Sequence, residues 1–287
     1  MKLQELDAHR HTVSTPAGDL SYLDIGTGPV ALFVHGIATN AYLWRNVIAR
    51  LAGQRRCIAV DLPLHGQSPV TADLSLAGLA SALAGFCDAL GLGRIDLVAN
   101  DTGGAIAQIF AARHPGRLAS LTLTNCDTDG NMPPEMMKPI IEQAAAGRLA
   151  PVAVAMFADL GAAGQAVFGE LYEDLERVDP GLIRSYLEPG IGTMERAREF
   201  ERLLVALDPA DLSAVTPLLR ELTVPTLVVW GTADKSFDVS WAYWLRDTIP
   251  GVTGVVTIDG GRLFFPDERA AEFVPHLERH WAAVPAA

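Results

Sequence analysis

Histidine is missing from the middle of this chain. The seven histidines are His9, His11, His35, His65, His114, His276 and His280, and none lies between Pro115 and Pro275. Cysteine is scarce as well. Cys57, Cys87 and Cys126 are odd in number and all sit in apolar runs, which reads as buried thiols in a reducing compartment rather than as disulfides or a metal site. With no histidine–cysteine cluster, and no phosphate-loop spacing among the glycines, no metal or organic cofactor is expected. Basic charge is outweighed, 22 Lys and Arg against 34 Asp and Glu, and the net charge of -12 argues against nucleic acid or an anionic membrane surface as a partner. No run of about 18 apolar residues occurs, and Met1 to Arg10 is polar with no apolar segment for secretion, so the expected location is the cytoplasm. There is no internal repeat and no low-complexity tract.

What the chain does have is apolar residues, 49% of 287, enough to fill a sizeable core. They are arranged with a rhythm. His11–Ser14 and Asp19–Asp24 read as a hairpin around Thr15-Pro16-Ala17-Gly18. Val30–Val34 and Arg56–Val60 read as buried strands separated by a helix that Asn40 caps. A helix over 75–90 leads to the strand Ile95–Val98, and Leu118–Thr124 is the next strand. Strands alternating with helices predict a parallel sheet covered on both faces. From Asn131 to about Pro217 the rhythm breaks into short helical pieces cut by prolines and glycines, with no strand candidate. The alternation resumes with Thr226–Trp230, a helix over 238–249, the strand Gly254–Ile258 and a last helix over 267–281. Residues 282–287 read as a loose tail.

The centre of this pattern is Ala99-Asn100-Asp101-Thr102-Gly103, where an apolar strand ends and a helical spacing of Ile106, Ile109 and Phe110 begins. Small residues two places either side of Asp101 suit a sharp strand-to-helix turn, the nucleophile elbow usually written G-x-S-x-G. Here the nucleophile place holds an aspartate. A carboxylate is ionised at neutral pH, so it attacks carbon without a base assisting that step.

Together with His35-Gly36, Asp61-Leu62-Pro63-Leu64-His65-Gly66-Gln67-Ser68 and Trp230-Gly231-Thr232-Ala233-Asp234, this elbow makes the chain resemble the α/β-hydrolase superfamily over almost its whole length. The aspartate, and Thr39-Asn40-Ala41-Tyr42-Leu43-Trp44, resemble its haloalkane dehalogenase and epoxide hydrolase branch. The resemblance implies a mostly parallel central sheet flanked by helices, with a core of residues 1–130 and 217–287 and an inserted all-helical cap of residues 131–216. It implies an enzyme acting on a small apolar substrate held between core and cap. It also implies Asp101 as nucleophile, the backbone N–H groups of Ile37 and Thr102 as an oxyanion hole, and Asp234 as the supporting acid, with Asn125 standing where some relatives keep that acid. His35 would support the oxyanion turn.

The departure is the histidine that family members carry after the last strand. That turn reads Asp259-Gly260-Gly261-Arg262-Leu263-Phe264-Phe265-Pro266-Asp267-Glu268, and counting back from Glu268 puts Leu263 at the histidine's place. An aspartate opening a halide or an epoxide leaves an alkyl ester, and hydrolysing that ester needs a base to activate water. Hydrolysis at carbon, with Asp234 acting through water, is the first reading. The second is a reaction without hydrolysis, an elimination, isomerisation or cyclisation in which Asp101 only moves a proton. The third is a binding protein that has lost catalysis.

Further candidates bear on the choice. Thr102 and Ile37 stand where dehalogenases place their halide-holding side chains, which removes that support. Tyr172 and Tyr186 are the two cap tyrosines of the kind that assist epoxide opening, although burial of an amphipathic ring explains each. Arg262 is a candidate to pair with Asp234 or to hold an anionic substrate, or is a surface arginine. Met132, Met136, Met137, Met156, Phe157 and Phe168 read as core first and as an apolar pocket wall second. Leu263-Phe264-Phe265 reads as packing that dries the cleft and raises the Asp101 pKa.

Overall fold

The computed structural model describes residues 1–284. Eight strands form one sheet in the order β1-β2-β4-β3-β5-β6-β7-β8: β1 (Arg10–Thr15), β2 (Gly18–Ile25), β3 (Val30–Val34), β4 (Arg56–Val60), β5 (Ile95–Asp101), β6 (Leu118–Cys126), β7 (Thr226–Gly231) and β8 (Val252–Ile258). The hairpin β1–β2 is antiparallel and pairs antiparallel with β4, while every pair from β4 to β8 is parallel. The central strands β5, β6 and β7 are buried almost throughout, which is why their sequence is apolar rather than alternating.

Thirteen helices are described: α1 (Leu3–Asp7), α2 (Arg45–Leu51), α3 (Leu76–Ala89), α4 (Thr102–Arg113), α5 (Lys138–Ala145), α6 (Leu149–Phe157), α7 (Leu160–Phe168), α8 (Pro180–Ile191), α9 (Met194–Ala206), α10 (Ala210–Leu219), α11 (Ser240–Thr248), α12 (Phe265–Glu268) and α13 (Ala270–Ala283). Ser75 caps α3 by accepting the Gly78 N–H, satisfying a donor the first turn leaves free.

Three boundaries differ from expectation. Helices α5 to α10 all lie between β6 and β7, but α10 packs against α4 and α3, so the expected limit at residue 216 falls inside a helix of the layer that flanks the sheet. The last helix is two, α12 and α13, because Arg269 leaves helical geometry. Of the tail expected to be loose, Ala282 and Ala283 complete α13, and residues 285–287 lie outside the described part. All three cysteines are buried free thiols. Among the described residues no single helix is long and apolar enough to cross a membrane.

Candidate active site

Asp101 is the last residue of β5 and the N-cap of α4, with φ of 56° and ψ of -137°. A side-chain-bearing residue at positive φ of this kind stores roughly 1–3 kcal/mol of strain, held only because the surroundings enforce it. The enforcement is visible in the neighbouring glycines. A Cβ on Gly103 would sit 2.3 Å from the His35 carbonyl oxygen, and one on Gly36 would sit 2.0 Å from Asp101 Oδ2. Backbone, nucleophile place and oxyanion turn are therefore in contact with no space between them.

The carboxyl is fixed by backbone donors. Ile37 N–H donates to Asp101 Oδ2 at 3.0 Å, and the nearby Thr102 N–H also favours the charged carboxyl. These donors and the N-terminus of α4 favour the charged form. Burial opposes them and wins: desolvation first, then the Asp127 carboxyl, with a smaller contribution from Asp234, holds Asp101 well above the usual carboxylate range.

Around Asp101 lies a cavity of about 380 Å³ between the carboxyl ends of the strands and the helical insertion. Its wall is chiefly apolar, including Met132, Met137, Met156, Phe168 and Leu204, and the polar groups reaching it include Asp101, Thr102, Asp127 and His65. The methionines and Phe168, read from sequence first as core, thus line a cavity, whereas Phe157 does not.

Leu263, at the place the resemblance gives to histidine, lines this cavity and is 3% exposed. Its carbonyl accepts from Asn100 Nδ2 at 3.1 Å. Phe264 beside it packs on Tyr172 and Phe168, with ring centroids 5.0 and 6.1 Å apart. Two histidines lie near, and neither has a free nitrogen. His35 Nε2 accepts the Leu62 N–H at 3.0 Å, so its Nδ1 carries the proton and donates to the Gly36 carbonyl at 2.7 Å. His65 Nε2 accepts the Ala38 N–H at 3.3 Å and Nδ1 donates to the Pro63 carbonyl at 3.0 Å. Burial pushes His65 down to about 4 and His35 well below its usual value, with His65 adding to the latter. Both rings are neutral pieces of the oxyanion turn. His35, expected from the resemblance to support the oxyanion turn, does not line the cavity, whereas His65 does.

Four other expectations are corrected. Asp234 is not a cavity residue: Oδ2 accepts Asn125 Nδ2 at 2.7 Å and Oδ1 accepts the Ser236 N–H at 2.7 Å, which makes it the cap of the turn after β7. Burial still raises it, to about 6. Asn125 lies under the sheet end, where it also exchanges bonds with the Gly231 N–H and carbonyl at 2.7 and 3.2 Å. Arg262 neither pairs with Asp234 nor faces the cavity, because Nη1 donates to the Gly169 and Tyr172 carbonyls at 3.0 and 2.7 Å. Tyr172 is buried behind Phe264 with its hydroxyl donating to Asp267 Oδ2 at 3.2 Å, while Tyr186, 3.5 Å from that hydroxyl, does reach the cavity. Asp267 in turn is bound by Arg45 at 2.7 Å.

One site residue escaped the sequence reading. Asp127 follows β6 directly, lines the cavity, and is almost fully buried. Its signal was position alone: a carboxylate just past the carboxyl end of a strand adjacent to the elbow strand, where open α/β sheets gather ligands.

A model of the family described as alpha/beta hydrolase fold matches residues 29–269. The chain belongs to the alpha/beta hydrolase fold family. This member is 41% identical over 104 residues to a haloalkane dehalogenase of Mesorhizobium japonicum, a match covering 36% of this chain and 34% of that enzyme. It is 31% identical over 227 residues to the 2-hydroxy-6-oxononadienedioate/2-hydroxy-6-oxononatrienedioate hydrolase of Burkholderia vietnamiensis, covering 75% of this chain and 74% of the relative. The solved structure of the epoxide hydrolase CorEH superposes with a TM-score of 0.79 over 96% of this chain and 99% of that one, at 18% identity, a likeness of fold alone.

Proposed function

We propose that this alpha/beta hydrolase fold protein is an enzyme that moves a proton on a small apolar molecule without a cofactor, with Asp101 as the group that carries the proton. The observation behind the reading is a buried carboxyl, held by burial well above the usual carboxylate range, in an apolar cavity where no imidazole has a free nitrogen. A neutral carboxyl is a weak nucleophile and a good hydrogen donor, and a dry site makes its proton transfer strong. Helices α5 to α9 serve as the cap that covers the substrate and excludes water. The Ile37 and Thr102 N–H groups orient the carboxyl and offset the negative charge that Asp101 acquires when its proton leaves. The reaction class is isomerisation, elimination or cyclisation, in which one proton enters the substrate and another departs. The three buried thiols suit a reducing, cytoplasmic setting.

A second reading, hydrolysis at carbon through an alkyl ester on Asp101, draws on a specific observation too: the two backbone donors at Asp101 are arranged as an oxyanion hole. One experiment separates the two. The protein and an Asp101→Asn control are incubated with apolar enones, epoxides, alkyl halides and esters, once in D2O and once in H2(18)O. Proton-transfer chemistry gives product carrying deuterium at carbon and no 18O, and the control gives none. Incorporation of 18O, or a stable mass adduct on Asp101, would instead establish the covalent reading.

A further inference from the structure

Two carboxyls, not one, face the cavity, and they stand on neighbouring strands. In the parallel ladder of β5 and β6, Asp101 is in register with Cys126, so Asp127 is the next residue along at the same end of the sheet. These two are the only carboxylate residues among the described residues lining the cavity. The backbone of Asp127 is pinned, because Gln108 Nε2 donates to its carbonyl at 2.8 Å. Its side chain is pinned by one oxygen only. The Thr102 hydroxyl donates to Oδ2 at 2.9 Å, whereas Oδ1 is buried with no hydrogen-bond partner among the described residues.

An acceptor left bare in an apolar wall is costly unless it takes up a proton or meets a polar atom of a ligand. The other titratable groups nearby are committed. Both oxygens of Asp234 are bonded, as are both nitrogens of His35 and of His65. Cys126 is a buried thiol that burial, Asp127 and Asp101 all keep protonated. Asp127 Oδ1 is thus a buried acceptor without a partner, at the same end of the sheet as Asp101.

We propose that Asp127 is the second catalytic carboxyl of this site, and that Asp101 and Asp127 work as a pair sharing one proton in the role that an imidazole would otherwise fill. The inference rests on the proton-transfer reading above. Two carboxyls in one low-dielectric space do not both ionise, so a single proton is held between them. In the working form Asp127 is the ionised member and Asp101 the protonated one, since burial raises both carboxyls and the Asp127 charge raises Asp101 further. The step then balances. The Asp127 carboxylate takes a proton from a substrate carbon, the electron pair of that bond becomes the new double bond, and Asp101 delivers its proton to the substrate atom at the other end. The product leaves with Asp127 neutral and Asp101 ionised, and transfer of the proton from Asp127 to Asp101 restores the pair.

The test uses the full chain labelled with 13C at aspartate Cγ and titrated from pH 4 to pH 9 by NMR, in the wild type and in Asp127→Asn, Asp127→Glu and Asp101→Asn. The pair predicts two linked titration steps in the wild type. In Asp127→Asn, Asp101 should titrate in one step, at least one pH unit lower, and Asp127→Glu should restore two steps. A structural role for Asp127 would leave the Asp101 curve in place, and that result overturns the proposal. This measurement needs no substrate, so it is decided separately from the reading it rests on. With any substrate that shows deuterium incorporation, Asp127→Asn should lower kcat at least 100-fold with KM within threefold. Unchanged kcat would overturn the catalytic part even if the titrations are linked.

Discussion

Asp127 Oδ2 accepts the Thr102 hydroxyl at 2.9 Å, tying the residue after the elbow aspartate to the end of the neighbouring strand. That bond favours the charged form of Asp127 and works against the burial that raises it. A carboxyl whose folded-state pKa lies above its unfolded value of about 3.9 binds its proton more tightly when folded. Its contribution to stability is therefore complete below about pH 4 and is lost as the pH rises through the folded value. For Asp127 that window closes near 7. Asp127→Asn keeps an acceptor for Thr102 and has no charge to bury. Its stability relative to the wild type should rise between pH 5 and pH 8 by about 1 kcal/mol or more, some 2–4 °C in Tm, measured by thermal unfolding at both pH values. A gap independent of pH would contradict the assignment.

Gly36 and Gly103 are places where backbone touches the Asp101 carboxyl and the turn at His35. A Cβ at either position lands within 2.3 Å of an oxygen. Gly103→Ala meets backbone and has nothing soft to displace, so it should cost more than about 3 kcal/mol and give little folded protein. Gly36→Ala meets a side chain rather than backbone, but down to the Asp101 Cβ at 2.4 Å, so it should cost stability to a lesser degree while displacing the carboxyl and abolishing its bond to Ile37. Circular dichroism and the 13C shift of Asp101 distinguish the two outcomes.

Asn125 makes three buried bonds, two to Gly231 and one to Asp234. Asn125→Ala leaves those partners unsatisfied at roughly 1–3 kcal/mol each for the worst-placed groups, so chemical denaturation should show a loss of about 2–4 kcal/mol. Asp234 should also titrate higher in that variant, since Asn125 is one of the donors that hold it down. An Asp234 titration that stays put would show that the backbone donors alone set it.

Leu263 marks where an imidazole is absent. Leu263→His buries a polar ring among Phe264, Phe168 and Met156, which should cost roughly 1–3 kcal/mol of stability. If the covalent chemistry of Asp101 is latent, the same change should supply its missing base. Hydrolysis of styrene oxide, followed by chromatography, should then rise by about 100-fold or more over the wild type, and Asp101→Asn in the same background should remove it. No gain in a folded variant would place the block on Asp101 itself.

Much of this molecule was legible before any coordinates. The apolar runs of β3 to β7 and the small residues flanking Asp101 are local patterns, because strand burial and a tight turn each act on residues adjacent in sequence. The missing histidine was legible as a count. The helical character of 131–216 was legible from its lack of strand-length apolar runs, but its boundary was not, since only packing against α4 assigns α10 to the flanking layer.

What tertiary structure decided is which polar side chains are already spent. Asp234, Arg262 and Tyr172 all read from sequence as available chemistry, and each is occupied by partners that are distant in the chain or hidden in the backbone. Arg262 bonds a carbonyl 93 residues away, and Tyr172 bonds a carboxylate 95 residues away. Asp127 is the reverse case, an ordinary residue past a strand that reaches the cavity beside Asp101 only because β6 lies beside β5. Sequence patterns report where the backbone goes, since hydrophobic periodicity and turn chemistry are short-ranged. The ionisation of a carboxyl depends on the water removed and the charges brought near by every element around it, and those exist only once the chain has closed.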